Sequence, residues 1–307
     1  MAPRSWLLES IALLLFTPLL AAQPQTSRSV PLQTLRADVD MVMVPIVVTD
    51  RHGTVVTGLD ASRFSVRENR VPRPIAAFSK EEEPCSVGIV LDLSGSMRGK
   101  LQDATAAVRA FLAGFNTEDE TFLMAVSSRP ESLLDFTGDA ATLQNRLIAV
   151  RAEGSTALVD TVFLALNRMR AARNPRKSLI IVSDGIDNHS RYSKAELLRV
   201  VQEQDVAIHT IGIAERPAGR KPIELTEESR GLELMTDLAA RSGGLNFTVV
   251  NAQDIQPAAV KIGRAIREQY LLAYRPAGER ASGQWQSIEV KVAGPQFRAY
   301  ARKGYYY

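Results

Sequence analysis

The chain has 307 residues, 45% of them hydrophobic and 23% charged, with 19 Gly and 15 Pro. These are ordinary globular values, and they exclude a disordered, collagen-like or low-complexity protein. Lys and Arg number 37 against 34 Asp and Glu, a formal charge of +3, too small a surplus to make nucleic acid or an anionic membrane the main partner.

The N-terminus reads as a targeting signal. Arg4 gives a positive start, and residues 10–22 (SIALLLFTPLLAA) form an apolar run ending in small residues. That is the layout of a secretory signal peptide cleaved after Ala22. A bilayer span needs about 20 apolar residues, so this run is too short to cross, and no cysteine follows it at lipoprotein spacing. The expected mature protein is exported, periplasmic or extracellular, and soluble. Polar residues 23–36 read as a linker. The single Cys85 allows no internal disulfide; at the head of an apolar strand it reads as a small core residue.

Residues 39–49 (VDMVMVPIVVT) are rich in β-branched side chains and end in the turn signal of residues 50–53. Shorter strands are expected at residues 64–68 and 74–78, with a helical turn at 60–63 between them and the first strand. Residues 37–82 thus read as a small β module. Over residues 83–268 the pattern changes. Residues 86–92 (SVGIVLD) form a near-continuous apolar run, as in a strand buried on both faces. Leu101, Thr105, Val108, Phe111, Leu112 and Phe115 then recur at helical spacing. A strand at 121–127, helices at 139–150 (with Asp139 as N-cap) and 157–170, and a buried strand at 178–183 follow. Ser193 and Glu196 form a capping box before a helix at 197–204. A strand at 206–213, a helix near 232–241, a strand at 246–250 and a helix at 255–268 complete the region. Strands alternating with helices predict an open, mostly parallel, doubly wound α/β sheet. Residues 269–307 return to strands at 269–274, 285–292 and 297–302. Chain ends often meet, so these are expected to pack with the N-terminal strands in a β-sandwich-like module.

The chemistry concentrates where the first buried strand ends, at Asp92-Leu93-Ser94-Gly95-Ser96-Met97. Ligand sites in open α/β sheets lie beyond the carboxyl ends of strands. Two more pieces occupy equivalent positions: Gly154-Ser155-Thr156 before a helix, and Ser183-Asp184-Gly185 after a strand. Two carboxylates and three hydroxyls can converge from three loops. A donor set of hard oxygens, without His or Cys, suits Mg²⁺ or Mn²⁺.

These residues resemble the metal-ion-dependent adhesion site of von Willebrand factor A (VWA) domains, with all five positions intact and the likeness covering about residues 84–268. The resemblance implies Ser94, Ser96 and Thr156 as metal ligands, direct or through water. It implies Asp92 and Asp184 as acidic partners that bind mostly through water and hold the hydroxyls in place. It also implies an open coordination position for a carboxylate on a protein partner. The flanks resemble exported acidobacterial VWFA-related proteins, through Val42-x-Val44-x-Ile46-x-Val48-x-Asp50, Phe64-x-Val66-x-Glu68, Tyr270-x-x-x-Tyr274-x-Pro276 and Arg302-x-Gly304-Tyr305. Arg70 departs from that pattern, which has glycine after Asn69.

Competing readings are weaker. A haloacid-dehalogenase-like phosphatase would also place Asp92 at a strand end and use an acidic loop like Asp184-Gly185-Ile186-Asp187. It needs a second acid two residues after the nucleophile, where this chain has Ser94. No G-x-S-x-G elbow follows a strand, so a non-enzyme is expected. A structural envelope protein whose metal only stiffens the loops is a third reading. Gly95-Ser-Met-Arg-Gly99-Lys100-Leu101 imitates a phosphate-binding loop, with one residue too few between the glycines and Leu101 where Ser or Thr must bind Mg²⁺. Asp187 and Asn188 read either as outer groups that support the site residues or, preferred, as a solvated loop; His189 reads as an exposed loop histidine and His209 as part of the sheet. Arg168, Arg170, Arg173, Arg176 and Lys177 read as a solvated basic face near a helix C-terminus, and 305–307 as a strand end or frayed tail.

Overall fold

A computed structural model describes residues 41–80, 83–214, 222–276, 278 and 282–307. The expected signal peptide (1–22) and linker (23–36) lie outside the described residues. Four strands come first: β1 (Val42–Thr49), β2 (Phe64–Glu68), β3 (Val71–Arg73) and β4 (Ile75–Ser79). The middle runs β5 (Cys85–Asp92), α1 (Leu101–Leu112), β6 (Glu120–Val126), β7 (Glu131–Thr137), α2 (Ala140–Ile148), α3 (Leu158–Arg168) and β8 (Arg176–Ser183). It continues through α4 (Lys194–Glu203), β9 (Ala207–Ile213), α5 (Pro222–Ser242), β10 (Asn246–Val249) and α6 (Ile255–Arg267). The chain closes with β11 (Tyr270–Tyr274), β12 (Trp285–Val292), β13 (Arg298–Tyr300) and β14 (Gly304–Tyr306).

The middle strands form one six-stranded sheet in the order β10-β9-β8-β5-β6-β7, parallel except for β7 against β6. All eight residues of β5 are buried, because helices cover both faces of the sheet. Val87, Ile89 and Leu91 meet Val108, Phe111, Ile262 and Ile266 of α1 and α6. On the opposite face Val90, Leu179 and Ile181 meet Val162, Val201, Met235 and Leu238 of α3, α4 and α5. From β5 the chain winds outward through α1 to β6; after β7 it returns to the other side of β5 and continues through β8. The winding reverses between β5 and β8, which opens a crevice beyond their carboxyl ends.

The caps follow the local sequence. Asp139 accepts a hydrogen bond from Ala141 N–H at 2.9 Å, and Ser193 with Glu196 forms the expected capping box. β7 is an addition to the sequence reading. It is a partly exposed edge strand and so lacks the apolar run or strict alternation that marks a buried one. The basic stretch is also not simply a solvated face. Arg168 lies over the Phe122 ring at 5.5 Å and pairs with Asp135, Arg173 pairs with Glu120 at 3.3 Å, and Arg176 with Glu83 at 3.4 Å.

The remaining strands form two antiparallel sheets, β13-β1-β11-β4 and β14-β12-β2-β3, that share a core of Val44, Ile46, Val48, Phe64, Val66, Leu272, Tyr274 and Ile288. Opposite ends of the chain are interleaved: β1 pairs with β11 and β13, and β2 with β12. Residues 304–306 are strand β14 against β12. The buried Glu68 accepts hydrogen bonds from Tyr274 Oη (3.1 Å) and Tyr305 Oη (2.8 Å) and pairs with Arg73 (3.3 Å). Val39–Tyr307 forms one compact unit. Val47, Val55, Leu245 and Ala265 join the sandwich to the α/β region. No helix among the described residues is long and apolar enough to cross a membrane.

Two predictions follow from this packing. β2 and β3 are joined by Asn69 and Arg70, with φ of 49° and 68°, a two-residue hairpin turn that favours glycine at its second position. A left-handed non-glycine residue costs about 1–2 kcal/mol, so Arg70→Gly should raise the melting temperature; an unchanged or lower value would contradict the turn's strain. His209 in β9 is fully buried, and burial holds its pKa down to about 4 against an ordinary 6.5. Below pH 6.5 the unfolded chain takes up a proton that the folded imidazole refuses until about pH 4, so this group removes stability as pH falls through that window. His209→Gln should therefore lose less stability between pH 7 and 4.5 than wild type in urea denaturation.

Candidate functional site

Asp92 closes β5 at the crevice and is fully buried. Its Oδ1 accepts the Ser94 N–H at 2.9 Å and its Oδ2 accepts the Ser183 hydroxyl at 2.5 Å. Burial first, and then the nearby charge of Asp184, push its pKa up to about 6 against the pull of these hydrogen bonds. A 3-10 turn over Gly95–Met97, anchored by the buried Met97, brings Ser96 Oγ within 3.1 Å of Ser94 Oγ. Ser94 is buried and Ser96 exposed, so the pair connects the interior with the surface.

The second loop is stitched to the first. Gly95 N–H donates to Gly154 C=O at 3.0 Å, and Glu153 N–H donates to Leu93 C=O at 2.7 Å. Thr156 is buried and is held in turn by the third loop. Its N–H donates to Asn188 Oδ1 at 3.0 Å, and its C=O accepts from the N–H groups of Asn188 (3.1 Å) and His189 (3.0 Å). In that third loop Asp184 is also buried. Its Oδ1 accepts the Ile186 N–H at 3.2 Å. Its Oδ2 is shielded from solvent and accepts no hydrogen bond among the described residues; it lies 3.8 Å from Lys100 Nζ. Two glycines set the depth of this loop. Gly185 has φ of +82°, and a Cβ on Gly231 of α5 would lie 1.9 Å from the Gly185 carbonyl.

The structure thus brings the candidate residues Asp92, Ser94, Ser96, Thr156 and Asp184 to one crevice from three loops. The donors are all oxygen. Among the described residues no group of three or more His, Cys, Asp or Glu is gathered to hold a metal ion. A cation bound here would therefore depend on the hydroxyls as well as the two carboxylates.

Of the two sequence readings of Asp187 and Asn188, the preferred one, a solvated loop, gives way to the other: both residues brace the site loops. Ala157, the N-cap of α3, makes no side-chain cap. Instead Asp187 Oδ2 accepts the Val159 N–H at 2.7 Å, and Ser190 Oγ accepts the Asp160 N–H at 3.1 Å. The third loop caps the helix that follows Thr156. The spacing Asp187-x-x-Ser190 is a local signal, since Asp187 also accepts from Ser190 N–H and Oγ; the helix it serves lies too far along the chain to be read from it. His189 keeps an exposed side chain, as expected, and contributes only backbone. His209 belongs to the sheet, where its Nδ1 accepts the Leu245 N–H, and burial pushes the Cys85 thiol up to about 12.

Residues 87–186 match the family model of the von Willebrand factor type A domain. Solved structures share the fold. A von Willebrand factor type A protein from Catenulispora acidiphila is 13% identical with a TM-score of 0.52, over 86% of this chain and 72% of that one. The vWF domain of the type V pili tip protein Mfa5 from Porphyromonas gingivalis is 15% identical with a TM-score of 0.50, over 66% of this chain and 99% of that one. No curated protein matches the chain. With the sheet order and switch-point crevice described above, the central part of this chain is a VWA domain.

Removal of the cross-loop cap tests its role. A helix N-cap contributes about 0.5–2 kcal/mol, and a charged acceptor sits at the upper end of that range. Asp187→Ala should lower unfolding free energy by about 1–2 kcal/mol in urea, without a change in m-value. A loss below about 0.5 kcal/mol would mean that water replaces the carboxylate at Val159.

Proposed function

We propose that this chain is an exported binding protein whose VWA domain holds Mg²⁺ or Mn²⁺ at Asp92, Ser94, Ser96, Thr156 and Asp184 and through it engages an acidic group on a protein partner. One observation carries the reading. Two carboxylates, Asp92 and Asp184, are buried together, and one oxygen of Asp184 accepts no hydrogen bond among the described residues. Burying two such groups is costly unless positive charge balances both; Lys100 Nζ, 3.8 Å from Asp184 Oδ2, supplies one charge, and the Ser94, Ser96 and Thr156 side chains carry the neutral oxygens that a further, hard cation prefers. Export rests on the layout of residues 1–22.

In this reading each residue has a separable task. Asp92 orients Ser94 through its N–H and secures the end of β8 through Ser183. Ser94 and Ser96 offer hydroxyl oxygens, Ser96 from the exposed side. Thr156 offers a third, its position set by Asn188 and His189. Asp184 supplies negative charge through Oδ2. The bound ion would supply an open coordination position for a carboxylate, and the surrounding surface would select the partner. The geometry disfavours the phosphatase alternative: a nucleophilic Asp92 needs a free, accessible oxygen, and both of its oxygens accept hydrogen bonds in a fully buried position.

Mn²⁺ titration calorimetry on the mature protein and on Ser94→Ala/Ser96→Ala tests the proposal. Wild type should bind, and the double variant should bind at least roughly a hundredfold more weakly, a loss of about 2.7 kcal/mol. Equal binding would remove the hydroxyls from the ligand set and overturn the reading.

A further inference from the structure

Lys100, the lysine of the phosphate-loop imitation, is oddly placed for its local structure. It is the N-cap of α1 and makes no side-chain cap there. N-caps favour Ser, Thr, Asp and Asn, and the positive end of the helix dipole disfavours a cation. A tertiary contact explains the choice. The lysine folds inward, its side chain 14% exposed, to place Nζ 3.8 Å from Oδ2 of the 2% exposed Asp184. Both atoms are shielded from solvent. The ammonium stands beside the same carboxylate oxygen that the proposed divalent ion would use.

We infer that Lys100 is a built-in counter-ion of this site, neutralising Asp184 when no divalent ion is bound and leaving it when one enters, so that it sets the site's metal affinity. This rests on the metal-binding reading above. Two like charges do not share one buried carboxylate oxygen, so entry of the ion requires the ammonium to withdraw. At 3.8 Å the contact is an ion pair beyond hydrogen-bond length, held by charge more than by directed geometry. The space beside Gly99 is open, and Asp103, one turn along α1, offers an outward-turned Lys100 an acid at i,i+3 spacing. The lysine would also offset the cost of burying the Asp184 carboxylate in the metal-free fold.

The test compares Mn²⁺ affinity, by calorimetry, and metal-free melting temperature in wild type, Lys100→Met and Lys100→Gln. Lys100→Met should bind Mn²⁺ at least roughly tenfold more tightly and should melt lower than wild type when metal-free. Lys100→Gln, which keeps length and polarity without charge, should show the same gain and keeps the test decisive if Lys100→Met does not fold. Binding by the variants but not by wild type would support the inference in its strongest form. Equal or weaker binding by both variants, with wild type binding, would overturn it and leave the metal site standing. Absence of binding in all three would overturn both.

Discussion

A carboxylate removed from water must find donors inside the protein, and Asp92 finds them in the loop that follows its own strand, β5, and at the end of β8, the two strands between which the chain reverses its winding. The Ser94 N–H fixes the loop leaving β5, and the Ser183 hydroxyl fixes the end of β8. Ser183 is used twice, since its oxygen also accepts the Gly185 N–H at 2.9 Å. One buried acid therefore sets the start of two of the three site loops, and the positions of Ser94, Ser96 and Asp184 follow from it.

The loop that carries Thr156 is placed by reciprocal bracing rather than by its own sequence. Backbone bonds tie Gly154 and Glu153 to the first loop, while Asn188 and His189 clasp Thr156 and Asp187 caps α3. The close approach of Gly185 and Gly231 lets α5 seat the Asp184 loop. Such a network distributes the cost of holding polar groups in place, because each donor or acceptor that orients a site residue also satisfies a helix end or a loop amide. Preorganisation of this kind spares a binding site the entropy of ordering its loops when a ligand arrives.

The β-sandwich attaches away from the crevice. Arg302 pairs with Asp205, just ahead of β9, at 3.2 Å, and Lys303 N–H donates to Arg241 C=O at the end of α5. Both contacts lie toward the amino ends of the parallel strands, while the site opens beyond their carboxyl ends. Lys261 of α6 also reaches His52 C=O at 2.9 Å. Among the described residues the sandwich is thus coupled to α5 and α6 at the end of the parallel sheet opposite the five candidate residues.

By itself the sequence determined the alternation of strands and helices, the doubly wound class and the β-rich ends, and it offered Asp92, Ser94, Ser96, Thr156 and Asp184 as candidate oxygen donors at strand ends. These are legible because burial imposes periodicity over eight to thirteen residues, and because a strand end followed by a helix marks a loop at the edge of the sheet. Tertiary structure decided the rest. β7 escaped notice because an edge strand needs no apolar run, and the pairing of β1 with β11 joins segments more than 200 residues apart. The capping of α3 by Asp187, the seating of Gly185 on Gly231 and the placing of Lys100 beside Asp184 each depend on groups that are distant in sequence. Local spacing names residues able to bind, but only the folded chain determines which charges share a buried volume, because desolvation and Coulomb attraction act through space and not along the chain.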